Sequence, residues 1–181
     1  MGILLFDIQG YFDHINHDRL VKVFTDLGFA PELVRWCKSF LTDRTVKLRF
    51  NGKTSDPFEF AVGTLQGSPV SSVLLTIYTA LLLHKMHEWT NTLLGMYIDD
   101  GVIFTCGHTW QEIETTMRDG YKACIEWLGR AGLSAEPSKT ELLFFRKRRE
   151  REEPPAHIYS TSPTLPSMRT IGCQQQPPCG I

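Results

Sequence analysis

The sequence predicts an α+β layer fold, one antiparallel sheet with helices on a single face. Three observations predict it. Short apolar runs of strand length interrupt longer stretches of helical period, most strands come in pairs joined by turn-forming residues, and the order strand, two helices, hairpin, helix, hairpin, helix, strand returns the strands to one antiparallel sheet. At 181 residues and 20.7 kDa, with 42% apolar and 22% charged residues, the chain has the composition of a single globular core, which excludes collagen-like and wholly disordered classes.

Gly2 to Ile8 is an apolar run that breaks at Gly10, a buried strand ending in a turn. Asp18 is the expected N-cap of a helix in which Leu20, Val23, Phe24 and Leu27 recur at helical spacing until Gly28 closes it. Pro31 opens a second helix, with Leu33, Val34, Cys37, Phe40 and Leu41 on one face, and the two helices are expected to pack as a pair. The period then changes to two. Val46, Leu48 and Phe50 alternate with Lys47 and Arg49, and after the turn-rich Asn51 to Pro57 come Phe58, Phe60 and Val62, a half-exposed hairpin.

Gly63 to Pro69 is a loop of small residues entering a long, mostly buried helix through Leu74, Ile77, Tyr78, Leu81 and Leu82 that ends near Trp89. Leu93 to Ile98 and Val102 to Thr105 read as strands on either side of an Asp99-Asp100-Gly101 turn. Thr109 to Glu112 matches a capping box, and Ile113, Met117, Tyr121, Cys124 and Leu128 mark the buried face of the helix it starts, which ends near Gly132. Thr140 to Phe145 is a last strand. After it the basic run Arg146 to Arg149 gives way to residues rich in Pro, Ser and Gln, so the folded domain is expected over 1–149 and a disordered tail over 150–181.

Nineteen Lys and Arg against 20 Asp and Glu leave a net charge of −1, so a polyanion site must be local. Five cysteines, several in apolar runs, suit reduced thiols in an intracellular, non-secreted protein. The longest nearly apolar stretch, Val73 to Leu83, has 11 residues against the roughly 18 needed to cross a bilayer, and no membrane partner is expected.

Three carboxylates break the rule that charge sits in helix first turns and loops. Asp7, Asp99 and Asp100 interrupt or end strongly apolar strands. An ionised carboxylate beside a core needs a compensating charge, and a divalent cation supplies one. Hard oxygen ligands suit Mg²⁺, and two such ions about 4 Å apart can hold the attacking and leaving oxygens of a phosphoryl displacement. On spacing alone, a strand-end cap at Asp7 and a plain hairpin turn at Asp99-Asp100-Gly101 explain the same residues.

Four motifs in order then carry a family resemblance. Phe6-Asp7-Ile8-Gln9-Gly10-Tyr11-Phe12-Asp13, Gly63-Thr64-Leu65-Gln66-Gly67-Ser68-Pro69, Tyr97-Ile98-Asp99-Asp100, and Gly132 to Lys139 followed by Thr140-Glu141 resemble the palm motifs of reverse transcriptases, those of non-LTR, LINE-like retrotransposons above all. The resemblance implies a polymerase palm, with a ferredoxin-like antiparallel sheet, and, in the full-length form, an RNA-directed DNA polymerase acting on an RNA template, a DNA primer and dNTPs. It implies that Asp7, Asp99 and Asp100, with the Ile8 backbone carbonyl, bind two Mg²⁺ ions, for which Mn²⁺ can substitute. Phe12 falls at the steric-gate position; Gln66, Gly67 and Ser68 match the loop that approaches nucleotide and template; Lys139 matches a lysine near the triphosphate. Asp13 belongs to the first motif and reads as a local cap.

Departures from the pattern are plain. Leu65 and Ser72 stand where prolines are common, six residues precede Asp7 where the family has a basic fingers region, and fingers and thumb are expected to be largely absent. A catalytically silent remnant and a two-metal nuclease are the alternatives, the latter needing neither Phe12 nor the Gln66-Gly67 loop. His84 and His87 have no companion ligand, and Cys173 and Cys179 lack the rest of a zinc knuckle.

Overall fold

The computed structural model of the chain describes residues 1–59 and 62–146 and the strands at 157–158 and 168–175. It divides into two compact units, where one core was expected: one of residues 1–9, 82–130 and 134–181, the other of residues 10–81 and 131–133.

The first unit is built on a sheet. β1 (Gly2–Gln9) alternates as its apolar run predicts, with Leu4, Phe6 and Ile8 buried and Leu5, Asp7 and Gln9 on the opposite side. β6 (Thr92–Tyr97) and β7 (Asp100–Thr105) form an antiparallel hairpin, and β7 lies beside β1. β9 (Glu141–Arg146) pairs antiparallel with the other edge of β1, and the two-residue β8 (Ser134–Ala135) pairs with Ile8–Gln9. β10 (His157–Ile158) and β11 (Met168–Gln175) complete the order β10-β11-β9-β1-β7-β6, with β11 parallel to β9. These ten residues fall in the segment expected to be disordered and here are strands; the remainder of the segment, Cys179 included, and Lys147 to Arg149 lie outside the described residues.

α4 (Trp110–Arg130) covers the apolar side of this sheet. Its Tyr121 ring meets Phe6 edge-on at 6.0 Å, Trp110 meets Phe144 at 5.6 Å, and Gly120 allows close approach to Thr92. The capping box is present in altered form: Thr109 Oγ1 accepts from the Glu112 amide at 3.2 Å, and the Glu112 carboxylate reaches the amide of His108 at 2.8 Å, not that of the cap itself.

The second unit is helical. α1 (His17–Asp26) starts two residues earlier than expected, because Asn16, not Asp18, is the N-cap: its side chain accepts from the Arg19 amide at 2.8 Å, which leaves Asp18 in the first turn. α2 (Pro31–Leu41) has proline at its start as read, and packs on α1 through a core that includes Leu20, Phe24, Cys37 and Leu41. The predicted hairpin is two short ladders. β2 (Thr45–Val46) pairs with β5 (Phe58–Glu59), and β3 (Arg49–Phe50) pairs with β4 (Lys53–Thr54) around an Asn51-Gly52 turn with both φ angles positive. Leu48 and Phe50 are exposed, so this hairpin has no buried face; Phe60 lies outside the described residues.

α3 (Pro69–Trp89) runs through both units. At 21 residues it is long and apolar enough to cross a membrane by length and composition alone. Its Leu74, Leu75, Tyr78, Leu82 and Met86 are buried within the protein.

Candidate active site

The register of β1 against β7 is the origin of the site. Phe6 pairs with Gly101 and Asp7 with Asp100, so the two carboxylates are cross-strand neighbours on the side of the sheet that α4 does not cover. The expected turn shifts by a residue: Tyr97 pairs with Asp100, the tip is Ile98-Asp99, and Asp100 and Gly101 belong to β7. Ile98 has φ 57°, a left-handed conformation that a β-branched residue rarely takes. The Ile8 amide donates to the Asp99 carbonyl at 2.9 Å, tying this strained tip to β1. Because the N–H and C=O of one strand residue project to the same side, the Ile8 carbonyl is turned toward that tip as well.

Gly101 makes the ladder possible. A Cβ there would overlap the Phe6 ring, so only glycine lets that ring lie flat across β7 and leaves Asp7 and Asp100 at the end of the pairing. The Asp99-Asp100-Gly101 string suits a turn, yet Gly101 lies in β7.

Lys139 reaches the site from a 3₁₀ turn, Pro137–Lys139, that the sequence reading missed. The Glu136 amide donates to the Asp7 carbonyl at 2.8 Å, and the Glu136 carboxylate accepts from Ser138 Oγ at 2.8 Å and from the Ser138 amide. With the turn anchored to the Asp7 backbone, Lys139 Nζ lies 2.9 Å from Asp7 Oδ2. One turn thus grips both the main chain and the side chain of Asp7. The hydrogen bond and charge of Asp7 raise the Lys139 pKa above its usual value, helped by Glu136 and Asp99, so the ammonium stays protonated through the neutral range. The bonds from Ser138 lower that of Glu136. Asp7, Asp100, Lys139 and Gly101 line an open depression of about 510 Å³.

Asp7, Asp99 and Asp100 together outweigh the Lys139 ammonium, so the tip attracts cations. Their hard oxygens fit a divalent ion by chemistry. Among the described residues, however, no group of three or more His, Cys, Asp or Glu side chains is gathered as a ready metal site, and Asp7 is engaged by Lys139.

Phe12, Gln66, Gly67 and Ser68 belong to the second unit. Phe12 sits in the turn that follows Gly10, and its carbonyl accepts from the Thr64 amide at 2.7 Å. Gly63 approaches so closely that a Cβ would stand 2.8 Å from the Phe12 and Asp13 carbonyls, and His17 Nε2 lies 2.7 Å from the Gly63 carbonyl. Phe12 and the loop are therefore one assembly. Gly67 has φ 92°, Gln66 is exposed, and the Ser68 carbonyl accepts from the Ser71 amide at the entry to α3. Tyr11 anchors the Gly10 turn, its hydroxyl donating to the Leu75 carbonyl at 2.7 Å. His84 is committed elsewhere, 3.6 Å from Glu88 on the same helix.

The fold recurs in two telomerases. Apo telomerase from Candida tropicalis, truncated from the C-terminal domain, matches with a TM-score of 0.64 over 87% of this chain and 32% of that one, at 16% identity. Telomerase from Candida albicans in complex with the TWJ fragment of telomeric RNA matches at 0.62 over 87% and 29%, at 14% identity. At those identities the likeness is one of fold, that of a reverse transcriptase-like domain. The family model for reverse transcriptase (RNA-dependent DNA polymerase) matches residues 2–174, and the chain belongs to that family. It is 28% identical over 138 residues to a probable RNA-directed DNA polymerase from transposon BS of Drosophila melanogaster, covering 74% of this chain and 15% of that protein. The chain is thus a reverse transcriptase domain of transposon type, spanning 15% of that relative's length, from a family that generally uses divalent metal ions.

Proposed function

We propose that this domain adds deoxynucleotides to a primer 3′-hydroxyl on an RNA template, inside the cell, with Asp7, Asp99, Asp100 and Lys139 as its reacting centre. The observation that carries this reading is the register that sets Asp7 opposite Asp100, with Lys139 on Asp7. Asp7, Asp99 and Asp100 would hold two Mg²⁺ or Mn²⁺ ions, with the Ile8 carbonyl as a further ligand. Bound there, such ions supply Lewis-acid activation of the hydroxyl and charge stabilisation at the phosphates. Lys139, kept protonated beside Asp7, has a proton to give the departing pyrophosphate. Phe12 is assigned to exclusion of a ribose 2′-hydroxyl, and Gln66, Gly67 and Ser68 to contact with nucleotide and template; the hydrogen bond from Thr64 to Phe12 supports treating them as one device.

Primer extension by the folded chain on an oligo(dT)-primed RNA template, with Mg²⁺ or Mn²⁺ and dTTP, tests this beside Asp99→Asn and Lys139→Gln. Extension by the parent, its loss in Asp99→Asn and a reduction of about 10²-fold or more in Lys139→Gln are expected. Extension that survives Asp99→Asn, or none from the folded parent in either metal, overturns the reading for this chain.

A further inference from the structure

The second unit carries an exposed aromatic and cationic stack outside every motif used so far. Trp36 and Phe40, four residues apart on α2, stack with ring centroids 5.5 Å apart and planes inclined by 19°. Just past the helix end the Arg44 guanidinium lies 4.3 Å from the Phe40 ring centroid. The buried residues of α2 are Cys37 and Leu41; Phe40 and Arg44 are half-buried, and Trp36, 46% exposed, is the end of the ladder that faces solvent. Asp43, with φ 54°, turns the chain between the helix and the Arg44 end of the ladder.

Charge follows the same segment. From residue 35 to residue 53 stand Arg35, Lys38, Arg44, Lys47, Arg49 and Lys53 against the single acid Asp43, in a chain whose net charge is −1. Arg35 is paired with Glu32; among the described residues no carboxylate lies within ion-pair distance of the other five. The β3–β4 turn adds Phe50, 77% exposed, between Arg49 and Lys53.

A ring already stacked in solvent beside unpaired cations offers two things at once, a planar apolar face and attraction for phosphate. A base-paired duplex hides its base faces, whereas a single strand presents bases and phosphates together. We propose that the α2 and β3–β4 segment is a second nucleic-acid-binding surface, which stacks a base of single-stranded RNA or DNA on Trp36 and draws the backbone with Arg44, Lys47 and Arg49. It is distinct from the acidic cluster and needs neither metal nor nucleotide.

The test is fluorescence anisotropy of the full chain with a labelled oligo(U), oligo(dT) or blunt duplex of equal length, in EDTA and without dNTPs, over a salt series. Both single strands should bind more tightly than the duplex, and the ratio of oligo(U) to oligo(dT) reports which backbone is preferred. Trp36→Leu should weaken single-strand binding by about fivefold or more while Trp36→Phe retains most of it. Lys47→Gln with Arg49→Gln, on the exposed hairpin, should reduce the slope of log affinity against log salt by about 1.4. Circular dichroism checks each variant's fold, and the hairpin pair keeps the test open should Trp36→Leu fail to fold. Equal binding by folded variants and parent, no binding by the parent, or a dimer in sedimentation that Trp36→Leu dissolves, which would make this face a contact between copies, overturns the proposal. Because the acidic site is silent under these conditions, none of those results bears on polymerisation.

Discussion

Asp7 and Asp100 are directly opposed in the β1–β7 ladder, and the Lys139 ammonium bonds to Asp7. Like charges facing each other across a sheet are destabilising by up to about 1 kcal/mol, and a carboxylate left without its own cation carries that cost into the folded state. Asp100→Asn should therefore raise stability by a few tenths to about 1 kcal/mol at low ionic strength, with a smaller gain at about 1 M salt, where screening has already weakened the repulsion. Urea unfolding at the two salt concentrations measures it. A loss of stability at low salt would show that Asp100 has a favourable partner in the folded protein.

Gly101 and Phe6 form the other half of the same ladder. Gly101→Ala places a methyl group inside the Phe6 ring and should cost about 1–3 kcal/mol or more, since either the ring or the β1–β7 pairing must move. Adding Phe6→Leu should recover part of that loss, a non-additivity that a double-mutant cycle reads directly. Strictly additive effects would mean that the ring is not what excludes a side chain at Gly101.

Stability should fall as the pH rises above about 9. Burial pushes the Cys124 thiol up to about 12 and that of Cys37 to about 11, from an ordinary value of 9.0. In that window the unfolded chain has lost protons that the native protein keeps, so the derivative of stability with pH is negative. Burial of Tyr78 and Tyr121, and Asp7 beside Lys139, raise those groups too and act in the same direction. Thermal unfolding between about pH 8 and 11 should show the decline, shallower in Cys124→Ala. A midpoint that climbs over this range would contradict the assigned burial.

Much of this was legible along the chain. Period two in Leu4, Phe6 and Ile8, period 3.6 in Ile113, Met117, Tyr121, Cys124 and Leu128, and the Pro31 start each depend on residues a few positions apart, and each stands in the structure as read. Where local signals compete, tertiary contacts decide. Asp18 is the cap expected from the sequence, and in the structure the Asn16 side chain takes the Arg19 amide instead. An Asp-Asp-Gly string suits a turn, yet the space needed by Phe6 drew Gly101 into the strand and moved the tip onto Ile98. The β2–β5 and β3–β4 segment kept its alternation and lost its buried face, because alternation requires a partner surface that the described residues do not provide.

By itself the sequence determined the residue types that can do chemistry, three carboxylates in apolar strands and a lysine before the last strand, and the order of motifs that resemble the reverse transcriptase family. Local period, which acts through covalent geometry, suffices to place the carboxylates in apolar strands, and the family rests on the resemblance of the motifs. Only the tertiary structure decided that Asp7 faces Asp100, that Glu136 docks a 3₁₀ turn on the Asp7 backbone, and that Lys139 thereby meets a carboxylate 132 residues away. Strand register and loop docking are set by pairing and packing between distant segments, and a shift of one residue would have turned Asp7 to the other face of the sheet.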